Sequence, residues 1–83
     1  MDVLKYPLAT EKAIKMIEAN NIIAFIVDSR ATANLIKNEL ESKFKVKIDN
    51  IRIMIDTKGR KKAYIKLNNE SPAIDIATKL GIM

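Results

Sequence analysis

The run Lys58-Gly59-Arg60-Lys61-Lys62-Ala63-Tyr64-Ile65-Lys66-Leu67 constrains the fold of this chain more than any other stretch. A glycine-containing turn and three consecutive cations lead into strict alternation of residue type. Successive side chains of an extended strand point to opposite faces. Ala63, Ile65 and Leu67 therefore share one face and need a core behind them, while Lys62, Tyr64 and Lys66 share the other. Cations around an aromatic ring suit a phosphate backbone with an exposed base or sugar. No acidic residue lies between Asp56 and Glu70, so the net charge of +5 (fifteen Lys and Arg against ten Asp and Glu) can be assigned to this hairpin.

The rest of the chain supplies the elements that such a strand needs. Residues 1–9 read as an extended lead-in, because Pro7 keeps Tyr6 out of helical geometry. Thr10 caps a helix to about Ala19, with Glu11 favourably placed in its first turn and Ala13, Ile14 and Ile17 as its buried stripe. Asn20-Asn21 stops it. Ile22 to Val27 is apolar on both faces, the pattern of a flanked, well-covered strand. Thr32 or Ser29 caps a second helix to about Phe44, in which Leu35, Ile36, Leu40 and Phe44 keep a helical rhythm. A second strand covers Val46 to Asp56, and its apolar phase slips at Asp49-Asn50, which predicts a bulge. Lys61 to Leu67 returns beside it as a hairpin. Ser71-Pro72 starts a last helix with Ala73, Ile76, Ala77 and Leu80 on its apolar face and Gly81 as its stop.

The predicted class is α+β, in the order α-β-α-β-β-α. A right-handed crossover makes the first and second strands parallel, and the third sits between them, antiparallel to both. This gives a three-stranded, mainly antiparallel sheet of order 1-3-2. Helices cover its isoleucine face and leave Arg52, Lys62, Tyr64 and Lys66 on the other.

Composition narrows the function. The 83 residues of the chain make one domain, 1–83, with no room for a second core. The sequence has no cysteine, hence neither disulfide nor thiolate metal site, and no histidine, the commonest metal ligand and general base. Its only glycines are Gly59 and Gly81, so it has no phosphate-cradling glycine loop. Neither catalysis, a metal, a cofactor nor a small-molecule substrate is expected. The longest apolar run, Ile22 to Val27, is too short to cross a bilayer, and the opening Met-Asp-Val-Leu-Lys lacks the apolar stretch of a secretion signal. The chain is expected in the cytoplasm, without membrane insertion.

Each basic cluster also has a plainer reading. An exposed hairpin is often lysine-rich only to stay soluble and to discourage edge pairing, which would fit a small protein-interaction or regulatory α/β module. The concentration of cations on one face without a compensating acid favours RNA instead. Lys5-Tyr6-Pro7-Leu8-Ala9-Thr10-Glu11-Lys12 is either a stiffened entry to a capped helix or a helix N-terminus holding a phosphate with Thr10 and Lys12. Lys43, Lys45 and Lys47 read as a solvated edge.

Two segments then coincide with a known family. Tyr6-Pro7-Leu8-Ala9-Thr10-Glu11-Lys12-Ala13 resembles the opening signature of the large-subunit ribosomal protein L23 family, and Lys61-Lys62-Ala63-Tyr64-Ile65-Lys66-Leu67 resembles its second. Arg30-Ala31-Thr32 and Phe44-Lys45-Val46-Lys47-Ile48 are similar to the family as well, so the resemblance runs from about Leu4 to Leu80. It implies a structural protein embedded in large-subunit ribosomal RNA beside the nascent-peptide exit tunnel. The implied partners are that RNA, neighbouring ribosomal proteins, and, on a docking surface for targeting factors, the signal recognition particle and the protein-conducting channel. Bacterial members carry a long hairpin extension where this chain has only the short stretch Ile55 to Ala63, so no tunnel-probing role is expected and the compact form resembles archaeal members. The candidate RNA-contacting residues are Lys5, Thr10, Glu11, Lys12, Arg30, Arg52, Lys58, Arg60, Lys61, Lys62, Tyr64 and Lys66.

Overall fold

The computed structural model describes residues 3–82. Along them run β1 (Leu4–Pro7), α1 (Glu11–Asn20), β2 (Ile22–Val27), α2 (Ala33–Phe44), β3 (Ile48–Ile55), β4 (Lys61–Leu67) and α3 (Ala73–Lys79). The four strands form one sheet in the order β1-β2-β4-β3, every neighbouring pair antiparallel. The α+β class and the arrangement of the three longer strands match the sequence expectation. The sheet is nevertheless four-stranded rather than three-stranded, because the lead-in pairs with β2.

That extra strand satisfies backbone groups that burial would otherwise leave without partners. Ile23 to Val27 are all buried, so N–H and C=O groups on the edges of β2 are shielded from water and need hydrogen bonds. β4 takes one edge, and β1 takes the far half of the other through Leu4↔Val27, Tyr6↔Ile26 and Pro7↔Phe25. Four residues ending in proline carry no readable alternation, yet proline is tolerated on an edge strand, where its missing N–H faces away from the ladder. A register shift between Leu4 and Tyr6 turns Tyr6 onto the same face as Ile26.

The core lies on the face of Ile23, Phe25, Val27, Ala63, Ile65 and Leu67, closed by Ile17 of α1, Ile36 and Leu40 of α2, and Ala73, Ile76 and Ala77 of α3. Each of the six largest fully buried side chains (Ile23, Ile36, Leu40, Ile65, Leu67, Ile76) contributes about 1.5–3 kcal/mol by leaving water. α2 and α3 cover this face as expected. α1 straddles the sheet edge: Ile17 joins the core, but Ala13 and Met16 line a hollow with Ala24 and Tyr64 on the other face. Helical coverage is therefore not confined to one side. Leu35 is exposed and Ile14 half-buried, so the apolar stripes of α2 and α1 are narrower than their rhythm implied.

The predicted bulge is present. Ile48 pairs with Leu67 and Asn50 with Lys66, so the chain gains one residue at Asp49 before Ile51 and Ile53 return to the core side. β3 begins at Ile48 rather than Val46: Lys45 closes α2 in the left-handed region at φ 53°, and the Lys47 N–H donates to Ser71 Oγ at 3.0 Å. Ile55 has the core parity yet is 64% exposed, because it lies opposite Lys61 at the end of the sheet, beyond the helices.

The start of α3 also departs from expectation. Ser71 does not cap it; the Ala73 N–H donates to Asn21 Oδ1 at 2.6 Å, across 52 positions of sequence. Asn21, itself left-handed at φ 56°, also donates through Nδ2 to the carbonyls of Leu67, Asn68 and Ser71 at 3.1, 3.1 and 3.3 Å. One side chain thus ties the ends of α1 and β4 to the start of α3. Gly81, at φ 78°, ends α3 as expected, with Gly81 N–H on Thr78 O and Ile82 N–H on Ala77 O.

Candidate nucleic-acid interface

Antiparallel pairing sets the site out in rows. On the face opposite the core, Arg52 lies across from Tyr64, Met54 from Lys62 and Asn50 from Lys66, while on the other flank Ala24 lies across from Tyr64 and Ile26 from Lys62. Tyr6 completes the Ile26 row from β1. Tyr64 and Lys62 are half-buried, and Lys66 and Arg52 are exposed. α1 flanks Tyr64 and Lys62 through Ala13 and Met16 without burying them, so the alternation read from the hairpin holds in three dimensions.

The same face brings the two signature segments together. Thr10 and Lys12, from the start of α1, and Arg60, Lys62 and Tyr64, from the hairpin, surround one hollow of about 150 Å³. Its floor is apolar, made by Leu8, Ala13, Met16 and Ala24. The Thr10 hydroxyl accepts from the Ala13 N–H at 3.2 Å and so fixes the first turn of α1 against the sheet. Leu8 N–H donates to Ala24 O at 2.9 Å and holds the approach to that turn along β2.

Arg60 is positioned more firmly than a surface arginine. Its Nε donates to Asp56 Oδ2 at 2.8 Å and its Nη1 to the Tyr6 hydroxyl at 3.1 Å. The tyrosine and aspartate bonds hold its guanidinium pKa above the ordinary value. Partial desolvation pushes the Asp56 carboxyl up, but this is outweighed by hydrogen bonds from the Arg60 backbone and side chain and from the Lys58 N–H, so its pKa lies below the ordinary 3.8. The turn therefore aims a permanent cation, already hydrogen-bonded to an aromatic, at the rim of the hollow. Gly59, at φ 79°, lets the turn close with its N–H on Asp56 O.

Other sequence candidates sit elsewhere. Lys61 follows the core parity, and its ammonium donates to the carbonyls of Ala31 at 2.7 Å and Ser29 at 3.3 Å, latching the loop before α2 to β4. Lys66 shares the face of Tyr64 but donates to Asn20 O at 3.1 Å, at the far end of α1. Arg30 is exposed in the β2–α2 loop, where it donates to Asp28 Oδ1 at 3.2 Å. The side-chain and backbone bonds from Arg30 hold the Asp28 carboxyl below its ordinary value. Glu11 pairs with Lys15 at 3.4 Å on the wet side of α1. Lys5 lines a separate hollow with Lys43 and Phe44. Lys58 occupies the exposed tip of the turn.

Tyr6 is the residue that sequence reasoning missed. It is 45% exposed, its hydroxyl meets Arg60, and it gives the face a second aromatic. Its strand was too short to read, but the apolar pattern on both faces of β2 was a usable signal that something must pair with its free edge.

The family model described as Ribosomal protein L23 matches residues 2–76. The chain is 42% identical over 81 residues to the large ribosomal subunit protein uL23 of Methanococcus aeolicus, an alignment covering 98% of this chain and 94% of that protein.

Proposed function

The chain belongs to the ribosomal protein L23 family, a class of structural rather than enzymatic proteins, and from that membership we propose that the sheet face opposite the core binds large-subunit ribosomal RNA. One observation carries the reading. Two signature segments some fifty positions apart in sequence, with the turn before the second, bring Thr10, Lys12, Arg60, Lys62 and Tyr64 around one hollow, with Arg52 in the row across from Tyr64. Cations there neutralise phosphates, and Tyr64 packs on a sugar or base; the fold of the RNA rather than a base-by-base code sets specificity. Lys58 at the hairpin tip and Lys66 along β4 extend the same basic track, while Lys5, Glu11, Arg30 and Lys61 serve from its margins.

In this reading the protein is a constituent of the large subunit of cytoplasmic ribosomes, beside the peptide exit tunnel and in contact with neighbouring ribosomal proteins. On α2, Asn38 and Ser42 are exposed and Glu39 and Glu41 half-buried; α2 packs on the core face through Ile36 and Leu40, so these four residues lie away from the basic face and offer a surface for the signal recognition particle and the protein-conducting channel while RNA is bound.

The test is binding of the full chain to large-subunit ribosomal RNA across a salt series. With about four phosphates neutralised, log K falls against log salt with a slope of about −3 to −4. The protein also sediments with large subunits at moderate salt and leaves them at high salt. A flat salt dependence, or sedimentation with small subunits alone, would refute the reading.

A further inference from the structure

The hollow beside Tyr64 has more apolar surface than phosphate binding requires. A phosphate site needs donors and water access, whereas here Leu8, Ala13, Met16 and Ala24 form a floor beneath a half-buried aromatic. Ala13 and Ala24 are 2% and 1% exposed, so the floor is backed by packed structure rather than by open solvent. Its volume of about 150 Å³ is on the scale of one nucleobase and leaves no room for a stacked run of bases. Lys12, Arg60 and Lys62 line the same hollow, so cations stand beside any residue inserted there. Among the described residues the Tyr64 hydroxyl has no protein partner, so it is open to a sugar or phosphate oxygen of the RNA.

We propose that this hollow is a receptor for a single unstacked RNA base, turned out of its helix or loop and seated on Met16 and Ala24 with its face against Tyr64. This inference rests on the RNA-binding reading and deepens it: the face holds one extruded nucleotide, with the flanking phosphates on Lys12 and Lys62. Base–aromatic stacking is sequence-tolerant, so the hollow selects an RNA geometry, an everted residue at one position, more than a letter. Small side chains at positions 13 and 24 are what keep the space open.

The test uses the full chain and large-subunit ribosomal RNA. Ala24→Leu fills the hollow without touching a cation. It is expected to weaken binding at least tenfold while leaving the salt slope at its wild-type value. Should that variant fail to fold, Tyr64→Phe and Tyr64→Leu replace it: the phenylalanine form binds within about threefold of wild type, and the leucine form, with no ring to stack on, loses about tenfold. Ultraviolet irradiation of the wild-type complex is expected to leave a nucleotide adduct on Tyr64 or Met16. A folded Ala24→Leu protein that binds as tightly as wild type, a leucine form equal to the phenylalanine form, or adducts confined to other segments would each overturn the receptor while leaving salt-dependent RNA binding intact. If the wild-type chain shows no salt-dependent binding at all, the RNA reading itself fails, and the receptor with it.

Discussion

The two faces of the sheet share the same strands and the same backbone bonds yet solve opposite problems. Toward the helices, β4 presents Ala63, Ile65 and Leu67, all fully buried, and no buried polar or charged residue occurs among the described residues. On the reverse it presents Lys62, Tyr64 and Lys66, half-buried or exposed. Lys61 and Lys62, adjacent in sequence, divide along the same line. The ammonium of Lys61 latches the loop before α2, and Lys62 stands at the rim of the hollow. A period of two lets one central strand act as both keystone of the core and middle of the binding face. The difference teaches that a run of like charges in a strand is not one patch but two.

If the faces are separable, their substitutions should split between stability and binding. Ile65→Ala on the core face is expected to cost about 2–5 kcal/mol, read as the denaturant midpoint, because the packed helices leave a cavity. Tyr64→Ala, one position away, should cost under about 1 kcal/mol by the same measurement, while weakening RNA binding. Equal destabilisation by the two would break the comparison.

Asn21 joins the core elements from the edge of the sheet, and its loss comes next in size. Asn21→Gly keeps the left-handed backbone but removes four hydrogen bonds, for a loss of about 1–3 kcal/mol. Asn21→Ala should lose about 1 kcal/mol more, from backbone strain at φ 56°. Thermal denaturation of the pair separates the two contributions, and an alanine form more stable than the glycine form would contradict the strain argument.

The paired lysines sharpen the comparison further. Lys62→Gln should reduce the steepness of the RNA salt dependence by about 0.7–0.9 for each phosphate it leaves without a cation. Lys61→Gln, at the margin of the basic track, should change the slope less than Lys62→Gln does and lower the melting temperature slightly, as the loop before α2 loses its anchor. Matching slopes in the two variants would show that the run acts as one patch after all.

The smallest effect is on acid stability. The folded-state pKa of Asp56 lies below 3.8, so its contribution is complete at pH well above 3.8 and fades as pH falls from there through the folded value. Asp56→Asn should remove that part of the pH dependence, visible as a flatter stability curve between about pH 5 and pH 2. An unchanged curve would mean that the Asp56–Arg60 turn contributes no linkage.

Local sequence determined a large share of this protein. The alternation from Lys61 to Leu67, the Thr10 and Thr32 caps, the slip at Asp49 and the stop at Gly81 are each written within a few residues, because pleat, capping and left-handed turns are short-range physics. The three longer strands and their relative order followed from these elements and the handedness of their connections. The tertiary structure alone decided what depends on partners distant in sequence. It paired Leu4–Pro7 with β2, brought Tyr6 to Arg60, gave the cap of α3 to Asn21, exposed Leu35 and Ile55, and enclosed the hollow between α1 and the sheet. Those outcomes turn on which surfaces meet after the chain closes, and no window of neighbouring residues contains that information.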